Sequence, residues 1–156
     1  MKLIHSIIAA LGLAFVLPAP ADAGVNDPEV IIYRFPGVKD DGGAAFVGVA
    51  TVFHCTNFSG VQESIRLVTR DRLGELVRNF SITISHLLTT TFSTHTVNAY
   101  GSLNLTTGAV GGGTTAIAAT STSIVCTAMT IDAANPKPDG VALHGVRFNP
   151  APGSQE

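Results

Sequence analysis

Apolar and polar residues alternate with a period of two along most of this chain, and runs at helical spacing are hard to find. A period of two sends successive side chains to opposite faces of an extended strand, so the pattern argues for β-structure throughout. Residues 46–56 carry the clearest example: Val49, Thr51, Phe53 and Cys55 share one face, and Ala50, Val52 and His54 the other. Residues 29–35 (EVIIYRF), 62–70, 76–85 and 141–148 read as further strands, with weaker ones at 88–97 and 101–105. The long run 115–131 is broken near Thr120-Ser121, and its second half puts Ile124, Cys126 and Ala128 together. Asn57-Phe58-Ser59-Gly60 has turn chemistry and predicts an antiparallel return of the next strand. The glycine-rich stretch 107–114 reads as a flexible loop. Short strands with turns at this spacing predict an all-β, antiparallel β-sandwich, immunoglobulin-like in general architecture, of about seven to nine strands.

Residues 1–23 have the features of a cleavable export signal. Lys2 opens it, the uninterrupted apolar stretch IIAALGLAFVL follows, and Pro18 and Pro20 end any helix. Ala21-Asp22-Ala23 is the small-x-small pattern of a cleavage site, with Gly24 as the new N-terminus. The apolar stretch falls well short of the roughly 20 residues that span a hydrocarbon core. The expected organisation is therefore a signal peptide at 1–23, one sandwich domain at 24–148 and a flexible tail at 149–156, in the periplasm or outside the cell. The formal net charge is −2, and cleavage removes Lys2 and Asp22 together, so the balance is unchanged. Such a charge excludes bulk attraction to nucleic acid. No second apolar span follows, so no stable membrane insertion is expected after cleavage.

Cys55 and Cys126 are the chain's two cysteines. In an oxidising compartment such a pair is expected to be joined. Each lies among apolar neighbours, Val49 and Phe53 in one case and Ile124 and Ala128 in the other. A bond tying an early strand to a late one across the core would close a loop of about 70 residues, which chain entropy values at roughly 4 kcal/mol.

The chemistry-bearing residues assemble no motif. His54, His86, His95 and His144 show no HxH or HExxH spacing, and no CxxC pair exists. Cys126 is followed by Met129 but by no nearby histidine, unlike a blue-copper loop. There is no GxSxG elbow, and Gly111-Gly112-Gly113 leads into no GK[ST]. The acids Asp40, Asp41, Glu63, Asp71, Glu75, Asp132 and Asp139 fall mainly in loops and turns. No catalytic, metal or cofactor-binding residue is assigned. Asn57, Asn79 and Asn104 open N-glycosylation triplets, which matter only in a eukaryotic host.

One surface feature points to a partner. Arg66, Arg70, Arg72 and Arg78 crowd into a single predicted hairpin, and Arg66 and Arg70 point away from Ile65 and Leu67. This basic strip is a candidate for an anionic glycan, lipid head group or acidic protein; a solvated face, partly offset by Glu63, Asp71 and Glu75, is its plainer meaning. Outward hydroxyls at Ser81, Thr83 and Ser85, then Thr89–Thr91, form ladders suited to a carbohydrate or a partner strand.

The phrases GVATVFHCTNFSG (48–60) and ATSTSIVCTA (119–128) resemble small exported bacterial two-cysteine β-sandwich proteins of uncharacterised function. The resemblance implies an exported, disulfide-bearing sandwich and carries no functional residues. Pilin subunits share that general description, but here the cysteines lie far apart and the C-terminal tail lacks an aromatic ending. The expected function is a non-enzymatic binding or interaction module whose partner is an envelope protein or a glycan. The alternatives are a small secreted hydrolase with a His/acid site assembled by folding, and a structural or adhesive subunit.

Overall fold

The structure, a computed structural model, describes residues 30–148. The expected signal peptide and C-terminal tail lie outside the described residues. Within them there is no helix, and ten strands form two five-stranded sheets. In chain order these are β1 (Val30–Asp40), β2 (Val49–Asn57), β3 (Glu63–Arg70), β4 (Leu76–Ile84), β5 (Thr89–Ser93), β6 (Leu103–Asn104), β7 (Val110–Ala119), β8 (Ile124–Asp132), β9 (Val141–Leu143) and β10 (Val146–Arg147). Sheet A runs β10-β1-β7-β3-β4 and sheet B runs β6-β5-β2-β8-β9. The pairings are antiparallel except the short parallel contact of β5 with β6.

The main core fills the space between the sheets. Ile32, Phe35, Ile65, Leu67 and Ile117 enter it from sheet A, and Phe53, Phe92, Ile124 and Ala128 from sheet B. The strand count exceeds the expected range by one because the run 141–148 is two strands, β9 and the two-residue β10, while the weak strand expected at 101–105 is present as the two-residue β6. The break falls at His144-Gly145, where the chain leaves the edge of sheet B for the edge of sheet A. Gly145 is required at that crossing, since a Cβ would overlap the Phe35 ring beneath it.

Three local expectations are corrected. The turn after β2 does not fold β3 back beside it, because β2 and β3 belong to different sheets. Asn57 directs this handover. Its fully buried amide donates to Val61 O at 2.7 Å and Ile84 O at 2.8 Å and accepts Ser59 N–H at 2.9 Å, tying the end of β2 to the end of β4. That commitment also removes Asn57 as a glycan acceptor in the folded chain.

The glycines at 111–113 are not a flexible loop. They lie in β7, paired with β1, and a Cβ on Gly113 would overlap the carbonyl oxygen of Arg70 and stand 2.7 Å from Val110 Cγ1. Finally, Cys55 and Cys126 are disulfide-bonded, but within a sheet and not across the core. They are direct partners in the β2–β8 ladder, with Cα atoms 4.2 Å apart. Both sulfurs belong to side chains buried in the main core.

Candidate functional site

β7 is the central strand of sheet A, and the side chains it turns outward are small: Thr114, Ala116 and Ala118. Small residues on a middle strand leave a trough between its neighbours. On the β1 side the register places Ile31 beside Ala118, Arg34 beside Ala116 and Pro36 beside Thr114. On the β3 side it places Arg66, Val68 and Arg70 beside the same three residues. Ile31, Arg34, Arg66, Val68 and Arg70 thus wall a hollow of about 180 Å³ floored by Thr114, Ala116 and Ala118.

Three guanidinium-bearing side chains therefore converge on one open face from two strands that are far apart in sequence. Arg34 is additionally held with its guanidinium carbon 5.8 Å from the Phe148 ring centroid. Arg70 Nη1 donates to Gly74 O at 2.8 Å, which fixes its direction at the β3–β4 turn. Glu63, at the start of β3, accepts the Thr120 hydroxyl through Oε2.

The four sequence-assigned arginines are only partly united. Arg66 and Arg70 line the trough, and Arg72 sits exposed in the turn after β3. Arg78 pairs with the inward-facing Thr69, so it leaves β4 on the core side and lies 5.7 Å over the Phe80 ring. Arg34 was missed. Its cue was present but hidden: a β-bulge between Ile31 and Tyr33 sets the register that turns Arg34 outward, and strict alternation cannot show a bulge.

The hydroxyl ladders are likewise divided. Ser81 and Thr83 belong to the outer side of β4 in sheet A, whereas Thr89 and Thr91 face outward from sheet B beside Thr56 and His54. His54 Nδ1 and Thr91 Oγ1 share a hydrogen bond of 2.9 Å, and the His54 ring meets Tyr100 edge-on at 4.8 Å. Partial burial of the imidazole lowers its pKa below 6.5 by desolvation, favouring the neutral ring.

Folding also brings one histidine to one acid. His95 Nδ1 lies 2.7 Å from Asp40 Oδ2, and both side chains are buried. Asp40 Oδ1 accepts Gly42 N–H at 2.6 Å. His95 Nε2 is buried with no hydrogen-bond partner among the described residues, so no hydroxyl stands where this imidazole would deprotonate it. The pair fastens the exit of β5 in sheet B to the end of β1 in sheet A. Among the described residues no group of three or more His, Cys, Asp or Glu side chains gathers as a metal ligand set.

Comparison with protein-family models, with curated proteins and with solved structures finds no match to this chain. The functional reading therefore rests on its own residues.

Proposed function

We propose that this chain is a non-enzymatic binding module of the periplasm or extracellular space, and that the trough on sheet A receives an anionic glycan. The observation that carries the reading is the convergence of Arg34, Arg66 and Arg70 over a floor of small residues. Guanidinium groups match carboxylate and sulfate oxygens with paired N–H donors, and a shallow floor of alanine and threonine admits a sugar ring edge-on or flat. The disulfide supports the compartment, since such bonds persist where the surroundings are oxidising.

The test is binding of a polyuronic acid, sulfated dextran and neutral dextran at several salt concentrations. The charged polymers are expected to bind with an affinity that falls as salt rises, and neutral dextran not to bind. The double variant Arg34→Ala/Arg70→Ala should weaken binding about tenfold or more while leaving the melting temperature nearly unchanged. Equal affinity for neutral and charged polymers, or no effect of the double variant, would remove the trough from the mechanism. Arg78→Ala is the internal control, because its guanidinium faces Phe80 and not the trough.

A further inference from the structure

Four strands end the two sheets: β10 and β4 in sheet A, β6 and β9 in sheet B. Three of them are two or three residues long, whereas β4 has nine. Short strands are a common way to blunt a sheet edge, as are lysine, proline and bulges. β4 contains neither lysine nor proline, and its one register shift lies at its start, between the pairs Thr69–Arg78 and Arg70–Leu76. From Arg78 to Ile84 it is regular, and among the described residues its strand partner is β3 alone. The Ile84 carbonyl is taken by Asn57, but the opposite side of 78–83 presents a row of backbone donors and acceptors to whatever lies beside it.

The side chains of this edge are symmetric about Ser81. Asn79, Ser81 and Thr83 are exposed on the outer side, while Phe80 and Ile82 lie half-buried at the margin of the main core. We propose that β4 pairs antiparallel with β4 of a second copy about a two-fold axis at Ser81. In that register Phe80 of one copy stands opposite Ile82 of the other, twice over, and each meeting is an aromatic–β-branched pair of the kind that stabilises neighbouring strands. Asn79 stands opposite Thr83, and Ser81 opposite itself. The second copy covers the half-exposed faces of Phe80 and Ile82, which the single chain leaves at the rim.

Charge permits the arrangement. Arg78 is the one charged residue of β4, and the two-fold places it opposite Ile84. The two Arg78 side chains are then separated by six residues along the strand, about 20 Å, well beyond the screening length at physiological salt. Such a contact is isologous and closes at two copies. It also merges the two copies of sheet A into one sheet. Paired residues share a face, so both arginine troughs would open on the same side.

Sedimentation velocity of the purified chain over a wide concentration series is the first test, with a reversible monomer–dimer equilibrium expected. Ser81→Lys sets two ammonium groups face to face at the axis and should raise the dissociation constant at least tenfold with circular dichroism unchanged, whereas Ser81→Thr should dimerise like the parent. The register is read by thiols, because both natural cysteines are already bonded. Ser81→Cys should cross-link to itself under air oxidation, as opposed strand residues stand within disulfide range. Asn79→Cys and Thr83→Cys should cross-link mainly when mixed. A chain that remains monomeric at every concentration, or Ser81→Lys associating as well as the parent, overturns the proposal. Cross-linking of Asn79→Cys with itself in preference to Thr83→Cys overturns the register.

Discussion

The two sheets of this sandwich share one core yet are finished in opposite ways. Sheet B is sealed. Residues 94–102, between β5 and β6, fold over its outer face, where Val97, Ala99 and Tyr100 build a second small core with Ala50, Val52, Met129, Ile131 and Ala133. Backbone hydrogen bonds pin the cover, among them Asn98 N–H to Ala133 O at 2.9 Å and Phe46 N–H to Thr96 O at 2.9 Å. Both edge strands of sheet B are short, and a disulfide joins its two central neighbours β2 and β8. Sheet A has no such cover among the described residues on the strip β1-β7-β3, contains no disulfide, and ends in a nine-residue edge. The difference leaves the outer strip and one long edge of sheet A uncovered among the described residues, and the two proposed contacts rest on those surfaces.

The largest expected effect breaks the reinforcement of sheet B. Replacing both cysteines with serine should lower unfolding free energy by about 4 kcal/mol, a large share of the 5–15 kcal/mol typical of a whole domain. Urea denaturation of the double variant measures it. Because Cys55 and Cys126 already face each other in a ladder that runs from Val49–Asp132 to Asn57–Ile124, the fold should persist at low temperature. The polyanion binding proposed for sheet A should persist with it. An unchanged denaturation midpoint would mean that the strand ladder alone holds sheet B together.

A matched pair of substitutions sharpens the contrast between the outer faces. Val52 and Val68 both point outward, from sheet B and sheet A respectively, but Val52 is fully buried under the cover and Val68 is half-exposed beside the trough. Threonine has nearly the same shape as valine, so the exchange tests the environment of the face and little else. Val52→Thr places a hydroxyl among apolar side chains and should cost about 1–3 kcal/mol. Val68→Thr should fall within about 0.5 kcal/mol of the parent. Equal costs, read by thermal unfolding, would show that the cover does not exclude water.

That contrast also explains what was legible in the sequence. The strands themselves were, because alternation is local: β3 and β4 fall close to the expected 62–70 and 76–85, and the expected break at Thr120-Ser121 separates β7 from β8. Sheet membership was not, because it is set by long-range pairing. The Asn57 turn looked like a hairpin and is a handover between sheets, a role fixed by carbonyls at Val61 and Ile84. The cysteines announced a bond but not that they were neighbours in one sheet. Ala50 and Val52 share the second face of β2 with His54, and nothing local identified residues 94–102 as the layer that buries them. The trough was half visible, as Arg66 and Arg70, and its third arginine needed the pairing of β1 with β7 to bring Arg34 across from them.

The smallest expected effect lies where the seal of sheet B ends. His54 borders the covered zone, against Tyr100 on one side and hydrogen-bonded to Thr91 on the other. Desolvation lowers its pKa from 6.5, so the folded chain prefers the neutral ring more strongly than the unfolded chain does. Above pH 6.5 the imidazole is neutral in both states and this contribution to stability is fully present. As pH falls through 6.5 the unfolded chain takes up a proton that the folded chain still refuses, and stability declines until the lowered folded-state value is passed. His54→Gln preserves a polar partner for Thr91 and removes the titration. Its denaturation midpoint should therefore fall less steeply than the parent's as the solution is acidified from neutrality. If the two curves stay parallel, the ring is more open to water than its place beside Tyr100 implies, and the edge of the seal must be drawn inside His54.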